Sequence, residues 1–326
     1  MSQIDRRQFL LTAGALLAAP LAGNAQPSGT TPRVGYVAHP IRSAAVTDAF
    51  ELGLRELGYA NGRNIVVEYR TTEGRIDRLP AAFEELLQLR VNVLLASAPY
   101  AIRAARQATS TVPIVGVDLE TDPIQAGWAK SLARPGGNLT GFFLDIPEMG
   151  SKLLQFVSEA VPRLQRIAVL WDAQIASSQF KATEAASRSA TLKLQSLPFR
   201  EPEEFVAAFE AARNQKAQAL IVLSSPLVFV HRQRLADLAL QYRLPAISLF
   251  PQFTDAGGLL GYGPNVLDLF RRAAGYVDRI LKGAKPADLP IQRPTVFELA
   301  INVKTARALG LTIPQNFLVR ADRVIE

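Results

Sequence analysis

The sequence predicts an α/β protein built as two doubly wound units, each a parallel sheet with helices on both faces. Three observations carry that expectation. Short β-branched runs alternate with longer amphipathic stretches, the pattern of parallel strands joined by helices. The alternation stops at ARPGGNLTG (133–141) and then restarts, which divides the chain into two units of similar size. Finally, 326 residues at 48% hydrophobic content suffice for two cores.

The elements follow in order. RVGYVAH (33–39) reads as the first strand, and TDAFELGLRELG (47–58) as an amphipathic helix stopped by Gly58. NIVVEYR (64–70), a helix over 77–90 and VNVLLAS (91–97) come next. A helix around 101–109 leads to PIVGVD (113–118). Asp122-Pro123 then predicts a helix start, because Asp supplies a cap acceptor and Pro a preset φ. After the Gly-rich break, helices over 149–161, 177–191, 201–215 and 231–243 alternate with RIAVLWD (166–172), KLQSLPF (193–199), ALIVLSS (219–225) and AISLF (246–250). GGLLGYGP (257–264) precedes a long amphipathic helix over 265–283. A Pro-punctuated link, TVFELAIN (295–302), a short helix and a final turn close the chain. That ending predicts a chain that returns to the first unit and then comes back to the second.

Ahead of these elements stands MSQIDRRQFLLTAGALLAAPLAGNAQ. The apolar run from Phe9 to about Ala22 is broken by Thr12, Gly14 and Pro20, and falls short of the about 20 residues that a spanning helix needs. It fits the h-region of an export signal behind a charged n-region. Adjacent Arg6 and Arg7, with Phe9 and Leu10 following, specify the twin-arginine route, which exports folded proteins. Residues 1–25 are therefore expected to be cleaved, 26–32 to form a polar leader, and the mature protein to work in the periplasm. No later stretch is long and apolar enough to span a bilayer, so the mature chain is not expected to be membrane-embedded. The chain contains no cysteine, which removes disulfides, thiolate catalysis and a lipidated N-terminal cysteine. The formal charge of +7 becomes +6 without residues 1–25, which carry two arginines and one aspartate. These charges are dispersed, and no basic run with interleaved aromatics points to nucleic acid.

Motifs for catalysis or metal binding are incomplete. Asp118, Glu120 and Asp122 alternate as at the start of a calcium loop, but its sixth and twelfth positions are Pro123 and Ala129 instead of Gly and Glu. Ser178 and Lys181 match the S-x-x-K pattern of exported serine hydrolases, without the S-D-N or K-T-G partner. A helix start capped by Ser177 or Ser178, with a solvated Lys181, accounts for that string. His39 and His231 each lack a neighbour for a metal pair or triad. Gly261-Tyr-Gly263 is followed by Pro264 and is not a dinucleotide loop, and no Walker sequence occurs. Neither an enzyme nor a cofactor or metal is expected.

A binding protein needs less. In open α/β sheets, ligands lie beyond the carboxyl ends of strands, where helix N-termini offer N–H groups and a favourable dipole to a carboxylate. That selects Tyr36, His39, Ser97, Tyr100, Asp118, Ser177, Ser178, Ser224, Ser225 and Phe250 as candidate ligand contacts. The serines are candidate hydroxyl donors, Asp118 an acceptor, and the aromatics apolar walls. Each also has a structural alternative, as a helix cap or as core.

Longer strings point to a family. LRELGYANGRNIVVEYR, SLARPGGNLTG, LFRRAAGYVDRILKGAKPADLPIQRPTVFELAINVKTARALGLTIP and the terminal RADRVIE resemble, in order, the ABC transporter substrate-binding family typified by tryptophan and aromatic amino-acid uptake proteins. The resemblance runs from about Arg33 to Glu326. It implies a type I periplasmic-binding fold of two Rossmann-like lobes joined by three crossovers, with lobe 1 at 33–142 and 264–286 and lobe 2 at 143–263 and 287–326. It also implies a small-molecule solute held between the lobes, a permease and an ATPase on separate chains, and a monomeric receptor. Many relatives carry an aspartate where this chain has Ser225. A buried ammonium needs a carboxylate or several good acceptors. The expectation is therefore that Asp118 supplies the charge, or that the solute has no amine.

Overall fold

The computed structural model describes residues 31–38 and 43–326. The expected export signal, its cleavage site and His39 lie outside the described residues.

The first lobe contains β1 (Arg33–Ala38), α1 (Ala44–Glu56), β2 (Val66–Thr71), α2 (Leu79–Gln88), β3 (Val93–Ser97), α3 (Ala98–Ala108), β4 (Ile114–Asp118) and β5 (Leu139–Phe143). Its five strands lie in the order β2-β1-β3-β4-β5, all parallel. β4 and β5 are buried along their whole length, as strands covered on both faces must be, and both are accordingly rich in apolar residues.

Two expectations fail here. No helix follows Asp122-Pro123. Asp122 does accept from the N–H groups of Ile124 (2.8 Å) and Gln125 (3.1 Å), as a cap would. Gly127 then takes φ 68°, and the chain turns to bury Trp128 against Phe143, ring centroids 6.4 Å apart. The glycine-rich break, in turn, conceals β5. Gly141 is a close-approach residue within that strand: at φ 129°, an added Cβ would lie 2.0 Å from the Gly116 carbonyl oxygen.

The second lobe begins with α4 (Ile146–Ala160), whose N-cap Asp145 accepts from the Glu148 N–H at 3.3 Å. There follow β6 (Arg166–Asp172), α5 (Ser177–Ser189), β7 (Lys193–Phe199), α6 (Phe205–Asn214) and β8 (Ala219–Val222). After them come α7 (Pro226–Val230), α8 (Arg232–Gln241), β9 (Ala246–Ser248), α9 (Gln252–Asp255) and β10 (Leu260–Pro264). The chain then leaves this sheet for α10 (Val266–Leu281), which packs on α1. It returns as β11 (Phe297–Asn302), α11 (Val303–Ala308), α12 (Gln315–Leu318) and β12 (Arg323–Ile325). The segment expected to be a final turn is thus the edge strand β12. The seven strands lie in the order β12-β11-β10-β9-β8-β6-β7, parallel except for the pair β10–β11.

α10 completes the first lobe. Its buried face, including Phe270, Ala273, Ala274 and Val277, covers α1 and the β4–β5 side of the sheet. The two helices approach so closely at Gly53 that a Cβ there would stand 2.1 Å from the Arg271 carbonyl oxygen. Beyond α10, Thr140 Oγ1 donates to the Leu289 carbonyl (2.8 Å), and the Gln292 N–H to that of Gly141 (2.8 Å). These bonds tie the strip as far as Gln292 to β5. Arg293 then donates to the Phe143 (3.1 Å) and Leu144 carbonyls, clasping two crossing segments together. Among the described residues, no helix is long and apolar enough to cross a membrane.

Candidate ligand-binding site

The carboxyl ends of both sheets meet around a cavity of about 290 Å³. The first lobe contributes Tyr36 from β1, Ser97 and Ala98 at the β3–α3 junction, and Val117, Leu119 and Glu120 from β4 and its exit. Ser43 and Val46, at the start of α1, complete that side. Pro226, Phe229, Val230, Arg232 and Phe250 line it from the second lobe, with Val266 and Phe270 from α10. The walls are mostly apolar. Tyr36 lies 5.9 Å from Phe270 on one side, and Phe229 meets Phe250 edge to face at 5.2 Å on the other.

Two long helices point their N-termini at this space. α1 and α3 have N-caps Ser43 and Ser97, and neither hydroxyl makes a cap hydrogen bond. Their first-turn N–H groups and dipoles therefore offer a seat to an anion. Ala98 holds φ 67°, a left-handed conformation that costs a non-glycine residue about 1–2 kcal/mol. It turns the chain sharply from β3 into Pro99 at the mouth of the cavity.

The acids at the exit of β4 define the electrostatics. Asp118 is fully buried and accepts at Oδ1 from the N–H groups of Glu120 (2.8 Å) and Thr121 (3.1 Å). Its Oδ2 is buried without a partner. The tight turn so formed swings Glu120 into the cavity wall, where it is 4% exposed. Glu120 accepts from the hydroxyl of Ser224 in the opposite lobe and from the Leu119 N–H at 3.3 Å. Burial first, and then the neighbouring Asp118 charge, push the Glu120 carboxyl well above the ordinary carboxylate range. Burial also raises Asp118, opposed by its backbone N–H donors. In the second lobe, Asp172 is buried beside Ser225 and raised by burial, with the Gln174 N–H and the Ser225 hydroxyl acting in the other direction.

The structure brings Tyr36, Ser97 and Phe250 to the cavity wall directly. Tyr100 stands one step behind, its hydroxyl raised by burial and then by the Asp172 charge. Asp118 lies behind Glu120 rather than in the wall. Ser224 reaches the site through Glu120, held in turn by Gln179, which bonds both its N–H (3.1 Å) and its carbonyl (3.0 Å). Ser225 is the N-cap of α7 and accepts from the Val228 N–H at 3.2 Å. Ser177 and Ser178 are not in the wall and do not cap α5, whose N-cap is Ala176 without a side-chain bond. Lys181 is exposed. His231 joins α7 to α8, and burial lowers its pKa.

Sequence reasoning missed Glu120, Arg232, Phe229 and Phe270. In the sequence Glu120 stands out only as a calcium-loop position; its place two residues beyond a strand-end aspartate is the available signal. Arg232 donates to the Phe229 carbonyl at 2.7 Å and lies over the Phe229 ring at 4.9 Å, leaving its charge at the cavity edge.

Residues 34–325 match the family described as ABC transporter substrate binding protein. A curated relative, the tyrosine-binding protein of Clostridioides difficile (strain R20291), is 23% identical over 279 residues, 84% of this chain and 79% of that one. The fold is shared with an ABC domain in complex with L-Trp from Streptococcus pneumoniae, at TM-score 0.82 and 23% identity over 91% of this chain and 100% of that one. It is shared equally with a conserved domain protein from Vibrio cholerae, at TM-score 0.82 and 24% identity over 90% and 100%.

Proposed function

We propose that this chain, which belongs to the family of ABC transporter substrate-binding proteins, is the periplasmic receptor of an importer for a small carboxylate-bearing solute with an apolar or aromatic body. An aromatic or branched amino acid is the first candidate. The observation that carries this reading is the cavity itself. Two lobes enclose about 290 Å³ with aromatic walls, and two uncapped helix N-termini open on one side. The relative named for tyrosine and the neighbour holding L-Trp support the amino-acid class.

The proposed cycle follows from that arrangement. The solute's carboxylate docks at the N-termini of α1 and α3, where N–H groups replace its water. Its body packs between Tyr36 and Phe270 on one lobe and Phe229 and Phe250 on the other. The lobes close by rotation about the three crossing segments. A permease, with an ATPase on a separate chain, distinguishes the closed receptor from the open one because the solute shifts that population. Export by the twin-arginine route and a monomeric receptor complete the proposal.

Thermal-shift screening of the mature protein tests it. Aromatic or branched amino acids, or their deaminated counterparts, should raise the melting temperature. Stabilisation by sugars or polyamines alone would sink the assignment. Turnover of a chromogenic ester that is lost in Ser178→Ala would point instead to a hydrolase.

A further inference from the structure

Glu120 and Asp118 place two carboxyl groups in one turn at the wall of the cavity. Glu120 touches the opposite lobe through Ser224, so closure encloses it. Asp118 keeps one oxygen, Oδ2, buried and unpartnered just behind it. Around Glu120 stand Ser224 after β8 with Gln179 on α5 behind it, Arg232 at the start of α8 in the same wall, and Tyr100 on α3, whose hydroxyl also feels the charges of Asp172, Arg103 and Glu201. Arg103, which is exposed, and Arg232 are the cations of this surrounding, and the Arg232 guanidinium is engaged with the Phe229 carbonyl. Among the described residues, no ion pair reaches Glu120, Asp118 or Asp172.

We propose that the Glu120 carboxyl is the charge sensor of the cleft: the lobes close over it only when a positive charge, the ligand's ammonium or a proton, sits on that carboxyl. The inference rests on the solute-receptor reading and deepens it, by naming the amine as the group that the site selects at neutral pH. Two enclosed neighbouring carboxylates cannot both stay ionised without a cation. Asp118, with two backbone N–H donors, is the better placed to keep its charge. Glu120, with one hydroxyl and one long backbone bond, is the one that must be neutralised. An ammonium does this directly and leaves Glu120 ionised. A deaminated acid brings no cation, so its binding has to take a proton from solution.

The two ligand classes should therefore respond oppositely to pH. Uptake of one proton makes the affinity for a deaminated acid fall by up to about ten-fold for each pH unit. An amino acid should show no such fall. The probes are two pairs, L-tyrosine with 3-(4-hydroxyphenyl)propionate and L-leucine with 4-methylpentanoate. Their carboxylates are ionised at about pH 6 and about pH 8 alike. Calorimetry on the mature protein should show the deaminated acid weakening at least about ten-fold between these values, while the amino acid changes less than about three-fold. Glu120→Gln should make deaminated-acid binding independent of pH and weaken the amino acid about ten-fold or more. The wild-type pH series stands alone if that variant misfolds.

A deaminated acid that binds equally at both pH values overturns the sensor. So does a folded Glu120→Gln protein that keeps its preference for the amino acid. A deaminated acid as tight as its amino acid at about pH 8 removes the sensor and leaves the receptor reading standing. Binding of no member of either pair removes both.

Discussion

Ser224 of the second lobe donates its hydroxyl to the Glu120 carboxyl of the first. Gln179 holds the donor from behind with two hydrogen bonds to its backbone, so the hydroxyl arrives from a fixed direction. This is a polar contact between lobes whose remaining cavity surface is largely apolar. It forms only when they are together.

Ser224→Ala should remove that contact and leave Glu120 without its cross-cleft donor. A hydrogen bond to a carboxyl group contributes about 1.5–3 kcal/mol where the acceptor is charged. Ligand affinity in the variant should drop about ten-fold by calorimetry, with little change in the melting temperature of the ligand-free protein. An unchanged affinity would mean that the contact does not contribute to the closed state.

Ser225→Ala should behave differently despite being its neighbour. Ser225 caps α7, so the loss is about 1 kcal/mol of stability, read from the denaturation midpoint. The preference for an amine-bearing ligand should stay intact. If that preference vanishes instead, Ser225 contacts the ligand and its capping role is secondary.

Gly53→Ala drives a methyl group into the Arg271 carbonyl, where backbone cannot give way cheaply. Separating α1 from α10 should cost about 1–3 kcal/mol in chemical denaturation. A neutral result would show that the helices have room to slide.

The raised carboxyls predict a slope of stability against pH. Glu120, Asp118 and Asp172 all hold protons more tightly in the folded chain than in the unfolded one. Between the unfolded carboxyl value, about 4, and their folded values, the native state binds more protons. Their contribution is fully present below that window and is lost as pH rises through it. In the ligand-free protein, Glu120→Gln should therefore gain stability relative to wild type as pH is raised from about 5 to about 8. Parallel curves for the two proteins would show that Glu120 titrates normally.

The architecture was legible because parallel strands buried on both faces leave long β-branched runs, and amphipathic helices separate them. β5 escaped because Gly141 looks like a breaker in sequence, and only the approach of Gly116 explains it as a strand residue. The Asp122-Pro123 signal was locally sound, since the cap bonds form, but Gly127 and the burial of Trp128 overrode it. At the site, Tyr36, Ser97 and Phe250 could be reached from strand ends alone. Glu120 could not. Its orientation depends on the Asp118 turn and on a serine 104 positions away. The first lobe thus sets a carboxyl group opposite Ser224 and Ser225, but it is Glu120 in the wall, with the Asp118 expected from the sequence standing behind it.

The packing of α10 on α1 also sets an order of events during synthesis. Glu56 and Arg271, which pair across these helices, are 215 residues apart. The first-lobe sheet therefore emerges from the ribosome long before the helix that covers it, and the whole of α4 to β10 must be made in between. Until then the apolar side of α1, with Phe50 and Leu54, has no partner from α10. A nascent chain stopped anywhere before residue 266 should be a client for chaperones and proteases, not a half-sized domain.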